Sequence, residues 1–240
     1  MPERQILTAR LRQSVPLSCL TKHLQFEIEE VPAFDFAAGQ FVSMQTEHDG
    51  RQITRAYSIA SSPARDRFFE VCLNRVQDGF FSNYLCDLRE GAAVKFHGPH
   101  GYFVLRNPTR DSVFIGTGTG IAPLRGMLQH LFADPSRHQG RDFWLVFGVR
   151  NHGDLYYHDE FRQLEQEQRN FHYIPTLSRP DHHWTGVRGY VQDHVREIVK
   201  YRHDMDAYIC GLKNMVTANR DLLMKENGWE RKSVLYERFD

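Results

Sequence analysis

The sequence predicts two domains: an antiparallel six-stranded β-barrel over residues 1–106, then an α/β domain with a five-stranded parallel sheet over 110–240. Three observations predict this. The first hundred residues hold six short β-rich segments and a single helical pattern. From about residue 111, apolar strands alternate with helical patterns. Between them lies Arg106-Asn107-Pro108-Thr109, a polar turn carrying a proline.

The barrel segments are 6–12, 20–29, 41–45, 53–59, 68–76 and 93–98. Several alternate apolar with polar residues, as at Leu24, Phe26 and Ile28, which is the period of a half-buried strand. Pro32, Gly39, Asp49-Gly50, Ser61-Ser62-Pro63 and Gly91 separate them. One helix interrupts, 80–88, with Phe81, Leu85 and Leu88 on one face. Six short strands with few helices close most economically into a barrel, which leaves no exposed edges.

In the second half, the strand at Val113 leads into a helix that ends near Phe132. Strands follow at 143–149, 171–177, 205–210 and 233–239, with helices at 159–168, 190–199 and 213–226. Strand–helix alternation of this kind builds a parallel sheet with right-handed crossovers. Ligands of such sheets sit at the carboxyl ends of the strands. Gly116 and Cys210-Gly211 both fall at such ends.

Composition narrows the function classes. Thirty Lys and Arg balance thirty Asp and Glu, so no net field favours nucleic acid or an anionic membrane. No apolar run approaches a membrane span, and the polar start Met1-Pro2-Glu3-Arg4-Gln5 has no signal-peptide core. A cytoplasmic protein is expected. Cys19, Cys72, Cys86 and Cys210 contain no C-x-x-C pair, which argues against an iron–sulfur cluster or a cysteine zinc site and for free thiols. The thirteen histidines are scattered, with His182-His183 the one adjacent pair, and no metal site is expected.

Four stretches carry chemistry. In residues 113–128 an apolar strand runs into Gly116-Thr117-Gly118-Thr119-Gly120, and a helix follows with Ile121, Leu124, Met127 and Leu128 at helical spacing. Strand, glycine turn and helix start cradle a phosphate through unpaired N–H groups and the helix dipole. Ile121 replaces the last glycine of the G-x-G-x-x-G fingerprint, so packing alone is the competing explanation of this turn. Arg55-Ala56-Tyr57-Ser58 ends a barrel strand. It offers a guanidinium for phosphate, a ring for stacking and a hydroxyl for a ring heteroatom. Alternation puts Arg55 and Tyr57 on one face and Ser58 on the other, so a strand end or bulge is required to re-aim one of them. A solvent-facing arginine beside a core tyrosine is the plainer alternative. Gly79-Phe80-Phe81-Ser82 begins the barrel's helix, where Ser82 either caps the helix or donates to a phosphate. Gly98-Pro99-His100-Gly101-Tyr102-Phe103 is a turn.

These stretches, with Cys210-Gly211, occur in the order and spacing R-x-Y-S, glycine–serine helix start, G-P-x-G-x-F, G-T-G-T-G-I-A-P, C-G. Together they resemble the ferredoxin–NADP reductase family of flavoenzymes over nearly the whole chain. The resemblance implies a barrel that binds FAD, favoured over FMN by the helix start, and an α/β domain that binds NADPH or NADH. It places Tyr57 against the flavin ring, Ser58 near flavin N5, and Arg55, Gly79, Phe81 and Ser82 around the phosphates. Ala56 lies between these, and Leu73, Asn74 and Arg75 pass the flavin through their backbone. It assigns Gly116, Thr117, Gly118, Thr119, Gly120 and Pro123 to the nicotinamide dinucleotide's pyrophosphate. Cys210 and Gly211 would sit beside the nicotinamide, with Leu212 where relatives usually carry proline. Glu237 resembles a carboxylate near that cysteine, and Phe239 or Tyr236 an aromatic residue covering the flavin; a solvated tail is the alternative. Ser178 and Arg179 resemble a hold on the 2′-phosphate of NADPH, with Arg188 and Tyr190 at adenosine. Trp184-Thr185-Gly186 and Gly189-Tyr190-Val191 resemble NADH-using reductases as well.

The implied reaction is hydride transfer from nicotinamide to flavin, with Ser58, Cys210 and Glu237 as the catalytic side chains. Single electrons then pass to ferredoxin, flavodoxin or an oxygenase component. The alternatives are an NAD(P)H-dependent flavin reductase, a flavin-binding electron-transfer or regulatory subunit, and a flavin-free interaction module.

Overall fold

The computed structural model describes residues 5–107 and 109–239; Met1–Arg4, Pro108 and Asp240 lie outside the described residues, and with them the extreme ends of the two expected domains and the proline of the boundary turn. The chain divides into two compact units, Met1–Leu105 with Arg125–His130, and Arg106–Leu124 with Leu131–Asp240.

The first unit is built on β1 (Leu7–Pro16), β2 (Thr21–Ile28), β3 (Phe41–His48), β4 (Arg51–Ser58), β5 (Phe68–Asn74) and β6 (Ala93–His100). They pair antiparallel in the order β4-β3-β6-β1-β2-β5, and a bridge between Ile59 and Val71 brings the chain leaving β4 onto β5, closing the barrel. In β2 the marked residues Leu24, Phe26 and Ile28 are fully buried, while His23 and Glu27 on the other face are buried as well, so the strand is covered on both sides over part of its length. On the core side the neighbours are phenylalanines: Phe26 stacks on Phe69 at 5.4 Å, and Phe69 meets Phe96 at 5.1 Å between centroids. β1 runs four residues past its predicted end, and its pairing with β2 shifts register between Leu11 and Gln13. An irregularity of this kind breaks the period of two on which a sequence reading depends. Helix α1 (Phe80–Asp87) lays Phe81 and Leu85 against the same core.

A buried charge cluster joins the middle of helix α2 (Ile121–Phe132) to this barrel. Arg125 donates to Glu70 Oε2 at 2.7 Å and to the Ala60 carbonyl at 2.9 Å, while His23 Nε2 lies 3.6 Å from Glu70 Oε2. Gln129 accepts from the Ser62 N–H at 3.1 Å, extending the same attachment. Residues 60–62, just beyond the end of β4, are thereby fixed.

The second unit holds β7 (Ser112–Thr117), β8 (Phe143–Val149), β9 (Phe171–Leu177), β10 (Val187–Arg188), β11 (Asp206–Leu212) and β12 (Val234–Phe239), all parallel in the order β10-β9-β8-β7-β11-β12. Its helices include α3 (His158–Glu167), α4 (Val191–Val199) and α5 (Lys213–Asp221). Val191, Val195 and Val199 form one apolar stripe, packed with Val113, Ile115 and Val146 of the sheet. Asp206, fully buried at the start of β11, lies 3.1 Å from Arg106, and the Tyr208 hydroxyl accepts the Arg106 N–H at 3.0 Å.

The sheet corrects one expectation: it has six strands, not five. The additional strand, β10, is two exposed residues long and pairs only with Thr176 and Leu177. A strand that short, without alternation or burial, carries no periodic signal. The helix expected over 213–226 also divides, since α5 gives way to a π-helical turn at Leu222–Glu226.

The Glu70 cluster has a testable consequence. Burial pushes the Glu70 carboxyl up, but hydrogen bonding and charge from His23 and Arg125 outweigh it and hold the group at about 2, against 4.5 for a free glutamate. The folded value is depressed, so the stabilisation is present above pH 4.5 and is lost as pH falls through about 2. Glu70→Gln is expected to cost roughly 3 kcal/mol at pH 7, with the deficit narrowing below pH 4.5 in urea denaturation. An equal deficit at pH 7 and pH 3 would sink the assignment.

Candidate functional site

In the barrel unit, Arg55 and Tyr57 share a face of β4, opposite Met44 and Val42 of β3. Arg55 is exposed, and its guanidinium donates to the Thr54 carbonyl at 2.9 Å. Ala56 is exposed as well. Tyr57 is half-buried, its ring 6.0 Å from that of Phe81, and burial raises its phenol pKa, so it stays neutral. Ser58 is buried and ends the strand. The next residue, Ile59, bridges to β5, so the change of strand partner falls at the position where the alternation requires one.

Helix α1 begins after Gly79, which provides no side-chain cap. Its first backbone N–H groups are therefore the anion-facing end of a helix dipole. The Ser82 hydroxyl is engaged within the turn, accepting from the Val76 N–H and donating to the Gly79 carbonyl, each at 3.1 Å. Asn83 Nδ2 donates to the same Gly79 carbonyl at 2.8 Å, and its Oδ1 accepts from Arg75, which also pairs with Asp87 at 2.5 Å. Arg75 and Ser82 thus shape the helix start rather than present free groups. Asn83 joins them through its bonds to the turn that precedes the helix. Leu73 is core, and the Asn74 side chain accepts from the Thr21 hydroxyl.

In the second unit, β7 ends at Thr117, a 3-10 turn covers Gly118–Gly120, and α2 starts at Ile121 with Pro123 buried in its first turn. β7 and β11 are neighbours, with Gly116 opposite Cys210. The glycine turn lies directly on the Cys210-Gly211 backbone: a Cβ on Gly120 would fall 2.6 Å from the Cys210 carbonyl carbon and 2.7 Å from Gly211 Cα. Gly211 itself adopts φ +146, and a Cβ there would meet the Thr117 carbonyl at 3.1 Å. Two motifs far apart in sequence are one piece of structure.

Cys210 is fully buried and pairs across the sheet with Glu237 on β12. Burial, and then the Glu237 charge, pushes its thiol well above the usual cysteine range, so it is neutral at physiological pH. Phe239, half-buried, lies opposite Leu212. Tyr236 is exposed, with Arg220 5.8 Å from its ring centroid. Thr119 is half-exposed.

Further basic groups gather at the carboxyl ends of β8 and β9. The Ser178 N–H donates to the Val149 carbonyl at 3.0 Å and the Arg179 N–H to the Arg150 carbonyl at 2.9 Å, which sets two exposed arginines on adjacent chain segments. Arg188 donates to the Trp184 carbonyl at 2.9 Å, and the Trp184 indole donates to the Val187 carbonyl at 2.8 Å. Tyr190 is exposed at the start of α4, where its N–H donates to Asp193. Arg150 was not expected from the sequence; its position immediately after a buried parallel strand is the signal that points to it.

The residues fit the two implied cofactors. An uncapped helix start and an exposed arginine on the Tyr57 face suit a flavin phosphate. Thr117 Oγ1 is buried beside the glycine turn with no hydrogen-bond partner among the described residues, a donor available to a dinucleotide.

Comparison with known proteins points the same way. Residues 8–105 match the oxidoreductase FAD-binding domain and residues 114–221 the oxidoreductase NAD-binding domain. The chain is 40% identical to ferredoxin–NADP reductase B of Sorangium cellulosum (strain So ce56), covering all of both sequences. It belongs to the ferredoxin–NADP reductase family. The reductase component DmpP of phenol 2-monooxygenase from Pseudomonas sp. (strain CF600) is 31% identical over 94% of this chain, which spans 63% of that protein. Among solved structures, the Amycolatopsis cytochrome P450 reductase GcoB superposes with a TM-score of 0.87 at 27% identity, over 98% of this chain and 70% of that one. This family member is accordingly a flavin-dependent NAD(P)H oxidoreductase with FAD- and NAD-binding domains.

The close approach at Gly120 predicts a local lesion. Gly120→Ala forces a methyl into backbone that has no side chain to swing away. It is expected to weaken NADPH binding at least tenfold, about 1.4 kcal/mol or more, with flavin content unchanged. Coenzyme titration followed by flavin absorbance checks this, and wild-type affinity in the variant would contradict it.

Proposed function

We propose that this chain draws reducing equivalents from NADPH through FAD and delivers them singly to a separate carrier, ferredoxin or flavodoxin. The observation that carries the reading is the glycine turn seated on Cys210-Gly211, beside the orphaned Thr117 hydroxyl. Bound flavin supplies the conversion of a hydride into single electrons, chemistry no side chain provides. The protein's part is binding and orientation. Arg55 and the α1 N-terminus hold flavin phosphate, Tyr57 gives the ring a neutral aromatic face, and Ser58 offers a hydroxyl to the ring edge. Gly116 to Gly120 and Pro123 receive the pyrophosphate of the coenzyme. Cys210 acts through its shape, as a neutral thiol held in one place by the sheet; burial, and then the charge of Glu237 beside it, keep that thiol protonated.

Ser178 and Arg179, with Arg150 and Arg188, favour NADPH over NADH, since a bidentate guanidinium matches a 2′-phosphate. The likeness to DmpP and GcoB supports a second reading, in which the acceptor is an oxygenase component. A cytoplasmic setting is supported by four free cysteines, three of them buried, which suit a reducing compartment. No helix of the described residues is long and apolar enough to cross a membrane.

Anaerobic titration with NADPH and NADH, read in the flavin spectrum, tests the reading. NADPH is expected to bleach the flavin, and failure of both coenzymes to do so would refute it. Cys210→Ala is expected to retain flavin and slow its reduction at saturating NADPH by about tenfold or more; an unchanged rapid-mixing rate removes Cys210 from the mechanism. Arg179→Gln removes a charge-assisted contact, so kcat/KM for NADPH should fall roughly tenfold to a hundredfold with NADH unaffected. Equal losses for both coenzymes would place Arg179 elsewhere.

A further inference from the structure

We propose that His194 is a positioning residue for the adenosine half of the coenzyme, acting through Thr176 on the turn that carries Arg188 and Tyr190. The inference rests on the reading above that sets Arg188 and Tyr190 at adenosine. His194 lies in α4, half-buried, with its Nε2 3.0 Å from Thr176 Oγ1. Thr176 is fully buried near the carboxyl end of β9, and its hydroxyl donates to the Gly189 carbonyl at 3.0 Å. A carbonyl only accepts, so the one hydroxyl proton of Thr176 goes to Gly189. Thr176 must then accept from His194, which requires a hydrogen on Nε2 of the imidazole. The bonds run in one direction, from His194 to Thr176 to Gly189.

The receiving end is the turn between β10 and α4. The Gly189 N–H donates to the Leu177 carbonyl at 3.0 Å, so both backbone groups of Gly189 are tied to β9. Arg188 and Tyr190 flank it, and both are exposed. Two side chains that meet solvent are thus carried on one backbone unit, held by the consecutive residues Thr176 and Leu177. The tie to Leu177 is backbone alone. The tie to Thr176 depends on a hydroxyl rotor, and His194 sets that rotor by taking one of its acceptor positions.

Helix packing explains why His194 reaches Thr176. Val191, in the first turn of α4, lies against Gly148 of β8, and Gly148 is the register partner of Thr176 on β9. Residues three apart on a helix share a face, so His194 follows Val191 toward the neighbouring strand. A turn fixed before the coenzyme arrives leaves less for binding to order. The reacting rings are at the other end of the coenzyme. The effect therefore falls on KM rather than on the rate at saturation.

The test uses 2′,5′-ADP, which carries the adenosine end of NADPH and no nicotinamide, as a competitive inhibitor of the flavin-loaded enzyme. His194→Ala is expected to raise both the inhibition constant of 2′,5′-ADP and the KM for NADPH, roughly threefold to tenfold, with kcat and flavin content unchanged. His194→Gln, which keeps an N–H donor at similar reach, should restore most of both. In a Thr176→Val background the His194→Ala change should add nothing further. An unchanged inhibition constant in His194→Ala, a fall confined to kcat, or a fully additive loss in the Thr176→Val background overturns the inference. A wild-type enzyme that 2′,5′-ADP does not inhibit refutes the earlier coenzyme reading instead, so the two failures are distinguishable.

Discussion

The backbone approach of Gly120 to Cys210-Gly211 is the constraint on which the second unit depends. β7 and β11 are adjacent because the strand order reverses between them: β8, β9 and β10 extend to one side, and β11 with β12 to the other. At such a reversal the connections leave in opposite directions and a crevice opens at the carboxyl ends. A side chain at position 120 or 211 would push the two turns apart. Their fit leaves the Thr117 hydroxyl without a partner among the described residues, a cost that a folded protein tolerates where a ligand satisfies it.

The barrel unit solves a different problem. The strand proposed to hold flavin must present groups to solvent while remaining rigid. β4 does so by having β3 as its ladder partner along its full length and β5 just past its end. The Arg125–Glu70 pair then fixes the segment that follows, through the Ala60 carbonyl. Both charges are largely buried, and each has further hydrogen bonds, Glu70 from Gln25 and Arg125 to Ala60. Such added bonds are what allow a buried ion pair to offset its desolvation.

How much of this was legible in the sequence varies with the physical origin of each feature. β8 falls at the residues its apolar run marks, because a strand buried on both faces reads as a continuous hydrophobic segment. The glycine turn and Cys210-Gly211 were recognisable as motifs, but their contact was not, since it arises from sheet order rather than local pattern. β10 was invisible because two residues have no period. The π-helical turn after α5 was equally hidden, as residues 222–226 keep good helix formers throughout. Ser82 illustrates the limit for single side chains: its residue type allowed capping or phosphate contact, and the turn from Val76 to Gly79 takes its hydroxyl instead. Asn83 went unread because its partners, Arg75 and the carbonyls of Val76 and Gly79, come from the turn before the helix, which follows no helical period.

The state of the thiols bears on which groups perform the chemistry. The four cysteines are free, and Cys72, Cys86 and Cys210 are buried. Burial raises the pKa of Cys86 and, more strongly, that of Cys210, where Glu237 adds to the effect. A thiol acts as nucleophile or redox partner through its thiolate, and a buried thiol beside a carboxylate is the poorest source of one. Cys210 is therefore placed where a reactive cysteine would be wasted and a compact, neutral, polarisable side chain is useful. Its role is steric. The fold holds it in a sheet register fixed on both sides, by Gly116 on β7 and Glu237 on β12, so that its position does not depend on its own hydrogen bonding.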